Sequence, residues 1–227
     1  KIQSLSYDEQ IKEKCDQVKD AVIRLGGFTD FQLDAVCKAE QIYNYRNKME
    51  FTFSPNRWVL DSEPEGVDKS FALGLHIPGR FDKILDIHNC HIQPEIGNRI
   101  LSVARDVCLE HPELRPYDPR SHIGFLRFLM LRYGANTGDL MVNIVTAYHD
   151  INKLSPLIDT LLDKFPEISS FVNNVNTRKA DVAFGEYETL LYGEPFIQEK
   201  IGGLTFEISA NSFFQTNTIQ GEILYKE

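Results

Sequence analysis

No apolar run in this 227-residue chain approaches the roughly 18 residues that a membrane-spanning helix needs. The opening stretch "KIQSLSYDEQ" lacks the apolar core of a signal peptide. Cysteine is sparse. Cys15, Cys37, Cys90 and Cys108 are irregularly spaced and make no small-domain disulfide framework, which favours a reducing cytoplasm. Positive charge is in deficit: the formal net charge of −9 excludes a protein that coats nucleic acid generally, so a phosphate-bearing partner requires a local basic surface. The chain has no G-x-G-x-x-G, P-loop, G-x-S-x-G or H-E-x-x-H motif. Repeats and low-complexity tracts are missing too. What is present is the composition of an ordinary soluble globular protein, 42% hydrophobic and 25% charged.

Periodicity predicts mixed helices and strands. "SYDE" at Ser6–Glu9 reads as a capping box, Ile11, Cys15, Val18, Val22 and Leu25 recur at helical spacing, and Gly26-Gly27 stop the helix. Residues 50–54 and 71–76 alternate as strands on either side of an acidic loop, 61–68. A second helix follows Pro94, which suits a first turn. Strands are expected at 124–133 and 140–147, a helix at 152–165, and a hairpin around Gly202-Gly203. The end of the chain reads as a helix capped by Asn217 or Thr218, with Ile219, Ile223 and Leu224 on one face and Glu222 near its first turn. Strands joined mostly by hairpins, with helices between groups of them, predict an α+β fold: a mostly antiparallel sheet with packed helices.

Charge is unevenly spread. Between Arg120 and Gly138 there is no acid, only Arg120, Arg127 and Arg132. In "YNYRNKMEFTFS", Arg46 and Lys48 are interleaved with Tyr43, Tyr45, Phe51 and Phe53. Cations suit phosphates and flat apolar rings suit unstacked bases, so this pattern fits RNA; it equally fits a strand that alternates charged-out and aromatic-in. Cys90, flanked by His88 and His91 in "DIHNCHIQP", reads either as a metal ligand or as a small buried thiol. A strand would point Cys90 and His91 to opposite faces, and no second ligand pair accompanies them. Cys15 and Cys108 fall on apolar helix faces, and no cysteine has an adjacent base that would make it a nucleophile.

Four ordered blocks carry a resemblance: "YNYRNKMEFTFS", "GLHIPGRFDKILDIHNCHIQ", "GFLRFLMLRYGANTGDLMVNIVT" and "LYGEPFIQEKIGGLTFEISANSFFQTN". Together they resemble the RumA/TrmA family of S-adenosylmethionine-dependent RNA methyltransferases acting on carbon 5 of uracil. The resemblance covers nearly the whole chain. It implies that residues 1–211 are a central, substrate-binding and cluster-bearing region and that 212–227 enter a Rossmann-like methyltransferase domain absent here. It further implies that Cys90 is the fourth ligand of a four-iron, four-sulfur cluster whose other cysteines precede Lys1, and that the chain by itself is inactive. In the implied mechanism a flipped uridine is attacked at carbon 6 by a thiolate and methylated at carbon 5, and a base then removes the carbon 5 proton. Both the thiolate and the base lie outside this chain.

By the same resemblance Gln215 contacts S-adenosylmethionine, and Phe213 packs either near the substrate pocket or over the domain junction. Arg46 and Lys48, taken as strand neighbours two apart on one face, are the candidates for RNA phosphate contacts. A cluster cysteine favours ribosomal RNA as the partner over transfer RNA. The rival readings are a transfer RNA methyltransferase, a non-catalytic RNA-binding module and an iron–sulfur redox protein.

Overall fold

The computed structural model describes residues 2–179 and 182–227, the side chain of Phe81 excepted. They form two compact units, one ending at Ile42 and the other spanning Tyr43–Glu227.

The first unit is a helix and a returning irregular segment. Helix α1, Tyr7–Arg24, begins at the expected capping box: Ser6 Oγ accepts from Glu9 N at 3.3 Å, and Glu9 Oε2 accepts from Ser6 N at 2.9 Å. Asp8 and Glu9 in its first turn and Arg24 in its last complement the helix dipole. The return segment is held by Ala39 N donating to Tyr7 Oη at 2.7 Å and by a Lys38–Asp8 ion pair at 2.6 Å. The apolar stripe of α1 buries no side chain fully.

The second unit is built on a mixed sheet. Its elements are β1 (Lys48–Ser54), β2 (Arg57–Trp58), β3 (Ala72–Ile77), β4 (Arg80–Asp86), α2 (Glu95–Glu110), β5 (Leu126–Tyr133), β6 (Leu140–Thr146), α3 (Ile151–Lys164), β7 (Ile168–Val175), β8 (Tyr187–Gly193), β9 (Phe196–Ile201), β10 (Leu204–Ser209) and α4 (Thr218–Lys226). Among the described residues, eight strands pair in the order β2-β4-β3-β1-β5-β6-β7-β8, antiparallel except for β2–β4 and β6–β7. The predicted α+β class, mostly antiparallel with packed helices, is what forms.

Alternation along the strands sorts the side chains. Phe51, Phe53, Leu129, Leu131, Val142, Ile144 and Phe171 join Ile100, Leu101 and Ala104 of α2 and Leu154, Leu157 and Leu161 of α3 in the main core. Each such side chain, fully buried, contributes about 1.5–3 kcal/mol. A smaller cluster places Met141 and Val172 of the sheet against Ile197, Ile208 and Ala210, so the β9–β10 hairpin packs on the sheet. Gly202 and Gly203, with φ of 56° and 80°, supply the two left-handed residues its tight turn requires.

Several elements depart from expectation. "PGRFDKILD" is a hairpin return, β4, that turns at Gly79 (φ 78°) and pairs with β3. β7 and β8 were not anticipated, and β6–α3–β7 is a parallel crossover rather than a hairpin connection. Pro94 is the N-cap of α2, one position before its first turn.

Candidate functional site

Residues 43–48 lead into β1 and are pinned from the side of Cys90. Asn44 N donates to His91 O at 2.9 Å and Arg46 N to Ile92 O at 2.8 Å. Arg46 lies before the strand rather than in it, and its Nε donates to Lys48 O at 2.9 Å, so the guanidinium folds back over residue 47. Lys48 opens β1 opposite Arg132 of β5. Its half-buried ammonium lies 5.8 Å from the Phe184 ring centroid and 3.9 Å from the Glu50 carboxylate. Burial first, then the charge of Arg132, lowers its pKa.

The arginines of the acid-free stretch do not form a basic surface. Arg127, 2% exposed, donates to Asn176 O at 2.8 Å and Arg178 O at 2.6 Å and lies 4.4 Å over the Tyr117 ring. Arg132, 4% exposed, donates to Ala210 O at 3.1 Å and to Ser212 O. Burial brings its guanidinium down to about 10, still a cation at neutral pH. Arg120 is paired with Asp82. Backbone carbonyls and one distant carboxylate take the place of the acids that the local sequence lacks.

Arg132 thus grips the start of the segment that carries Phe213 and Gln215, and Asn47 grips its end. Asn47 N donates to Thr216 O at 2.9 Å, and Asn47 Nδ2 donates to Gln215 O and to Thr218 Oγ1, each at 2.8 Å. The Thr218 hydroxyl in turn donates to Glu199 Oε2 at 2.7 Å. Glu199 is fully buried and also accepts from the backbone N–H groups of Ala135 (2.7 Å), Asn136 (3.0 Å) and Lys200 (2.9 Å). Four donors compensate the desolvated carboxylate. Asn47, Glu199 and Thr218 carry no motif, and sequence reasoning missed them.

Asn217 caps α4, accepting from Gln220 N at 3.0 Å. Glu222 pairs with Lys226 at 2.8 Å instead of facing the first turn. Gln215 is held by its main chain, and its side chain lies across Gly221, where an added Cβ would come within 3.3 Å of Gln215 Cβ. Phe213 projects outward at 86% exposed.

Cys90 sits apart, half-buried in an irregular loop between β4 and α2, so strand alternation does not separate it from His91. Its N–H donates to Asn98 Oδ1 at 2.9 Å, and Asn98 also takes Gln93 Nε2 at 2.6 Å and donates to Asn89 Oδ1 at 2.8 Å. His88 lies 3.2 Å from Asp86, and His91 packs edge-on to Tyr43. Among the described residues no group of three or more His, Cys, Asp or Glu side chains is placed to hold a metal ion. One thiol does not make a ligand set for an iron–sulfur cluster. Cys108 is a core residue whose thiol burial pushes up, and Cys15 is half-buried on α1. No helix among the described residues is long and apolar enough to cross a membrane.

No protein-family profile matches the chain. It is 43% identical over 228 residues to an uncharacterized RNA methyltransferase of Chlorobaculum tepidum, covering 98% of this chain and 47% of that protein. It is 40% identical over 234 residues to another from Porphyromonas gingivalis, covering 100% and 50%. The chain spans about half the length of these curated relatives. Among solved structures it resembles the Pyrococcus abyssi tRNA (uracil-54, C5)-methyltransferase in complex with S-adenosyl-L-homocysteine, with a TM-score of 0.75, 25% identity, and coverage of 99% of this chain and 48% of that one.

Proposed function

Because the chain belongs to the RumA/TrmA family of RNA methyltransferases, we infer that it is the substrate-binding half of an enzyme that methylates carbon 5 of a uridine in RNA. The observation that carries this reading is the clamp that fixes the Gln215 segment directly beside Arg46 and Lys48. The cations take RNA phosphates, Phe213 offers an exposed ring toward the substrate, and the Gln215 amide meets the methyl donor. S-Adenosylmethionine, when bound, supplies the methyl group. The neighbour's complex with S-adenosyl-L-homocysteine, the demethylated product of that donor, supports this choice. The region up to residue 211 carries the RNA surface, and 212–227 form the entry to the methyl-transferring domain.

Ribosomal RNA is the proposed substrate, on the strength of Cys90 as one cluster ligand in a longer chain. The described residues do not assemble a cluster by themselves. Transfer RNA is the second reading, favoured by the substrate named for the P. abyssi neighbour. The full-length protein, given S-adenosylmethionine with a labelled methyl group, should label uracil carbon 5 in protein-free ribosomal RNA and leave a transfer RNA transcript blank. Label in the transfer RNA reverses that order, and label on another base or on ribose sinks the uracil assignment. Anaerobically purified protein should carry iron that Cys90→Ser removes; iron unchanged in that variant withdraws Cys90 as a ligand.

A further inference from the structure

Asn47 lies between Arg46 and Lys48 and binds the segment that carries Gln215. Its neighbours on either side are the proposed phosphate cations. Its own polar groups face the other way: N–H to Thr216 O, and the two hydrogens of Nδ2 to Gln215 O and Thr218 Oγ1. Its carbonyl accepts from Tyr133 N at 2.8 Å, which fixes it to β5. The residue is 7% exposed. Asparagine suits the place because one planar nitrogen offers two donors at fixed angles, and no hydroxyl or carboxylate side chain offers two.

We propose that Asn47 is a positioning residue that couples RNA engagement to cofactor binding, a statement that rests on the function proposed above. The physical route is short. Arg46 Nε already bonds Lys48 O across residue 47, which leaves the terminal guanidinium nitrogens for a phosphate. A phosphate held by Arg46 and Lys48 therefore ties both ends of a three-residue bridge whose middle member holds Gln215. Ordering that bridge for RNA orders the Gln215 carbonyl as well, so the second ligand finds part of its ordering already done. Linkage makes the effect reciprocal: cofactor tightens RNA by the same factor that RNA tightens cofactor.

The test uses the full-length protein, S-adenosyl-L-homocysteine as the cofactor probe, and whichever of a ribosomal RNA and a transfer RNA transcript binds. Calorimetry with and without saturating RNA gives the coupling factor, expected at about fivefold or more in the wild type. Asn47→Ala should bring that factor close to one. Thr218→Val removes the hydroxyl that donates to Glu199 and accepts from Asn47 Nδ2, but keeps the bonds from Asn47 to Gln215 O and Thr216 O. It should melt lower yet retain the coupling. Should Asn47→Ala fail to fold, hydrogen exchange on the wild type decides: RNA should slow the backbone amides of 212–218 several-fold.

A wild type that binds both ligands with no coupling, or with exchange at 212–218 unmoved by RNA, overturns the role of Asn47 alone. Coupling lost equally in Thr218→Val shows general loosening and overturns it too. A wild type that binds neither ligand overturns the functional reading, and this inference falls with it.

Discussion

The Thr218 hydroxyl donates to the buried Glu199 carboxylate at 2.7 Å, joining the first residue of α4 to the β9–β10 hairpin. Glu199→Gln would turn an amide N–H₂ toward groups that are themselves donors. The expected cost is about 2–3 kcal/mol, mostly from buried donors left unmatched. For a unit of this size that lowers the melting temperature by roughly 5–10 °C. A midpoint within about 1 °C of wild type would show that water replaces the carboxylate at no loss.

Arg127 and Lys48 should respond oppositely to removal. Arg127→Lys loses the guanidinium whose Nη1 donates to both carbonyls and whose plane lies over Tyr117, so it should cost about 2–3 kcal/mol of stability. The salt dependence of RNA binding should stay as it is, because a 2%-exposed arginine meets no phosphate. A shallower salt slope in a stably folded Arg127→Lys protein would return this residue to the RNA surface.

Replacing Arg46 and Lys48 together by Ala should weaken RNA binding and reduce the slope of log affinity against log salt by about one to two units, each phosphate contact contributing roughly 0.7–0.9. Methyl transfer should recover at saturating RNA. Unchanged RNA affinity with a lower melting temperature would make the pair structural.

Lys48 also makes a pH prediction. Its folded pKa lies below the unfolded value, so between the two the unfolded chain binds more protons and stability rises with pH. The penalty is fully present at neutral pH and is lifted as the folded group deprotonates on the alkaline side. Lys48→Met should therefore match or exceed wild-type stability at pH 7, and the difference should narrow toward pH 10. A difference that is flat across that range would show that the ammonium is not strained.

Cys108 should resist alkylation by iodoacetamide at pH 8 in the folded protein and react after denaturation, since burial both shields the thiol and disfavours the thiolate. Mass spectrometry of the labelled peptide reads this directly. Rapid labelling of native protein would place Cys108 outside the core.

The elements that follow local rules were legible in the residue order. The capping box at Ser6, the alternation of β1, the apolar runs of β5 and β6, the double glycine of the last hairpin and the Asn217 cap each obey chemistry confined to a few neighbours. β7 escaped notice because "ISSFVNNV" carries two serines and two asparagines yet is buried almost throughout. Its amide nitrogens find acceptors far off in the chain: Asn173 Nδ2 reaches Ile144 O at 2.8 Å, and Asn174 Nδ2 reaches Asn143 Oδ1 at 3.1 Å. The partners of Arg127 and Arg132 were hidden for the same reason, since the carbonyls that receive them lie about 50 and 80 residues away. The site was legible only in its charged and aromatic members. Asn47 and Glu199 function through long-range bonds that no window of sequence displays.

The place of β1 in the strand order bears on how the protein assembles. β1 lies between β3 and β5, and reaching Leu129 from Phe51 closes a loop of 78 residues (129 − 51). The β3–β4, β5–β6 and β9–β10 hairpins close after a handful of residues and have far less entropy to overcome. Arg46, Asn47 and Lys48 lie at the mouth of the strand that must wait. A partly folded molecule can therefore hold several finished hairpins and still offer nothing for RNA to grip. In refolding, hairpin amides should regain exchange protection before the proposed RNA contacts can form, since those wait until the sheet has been stitched through the middle.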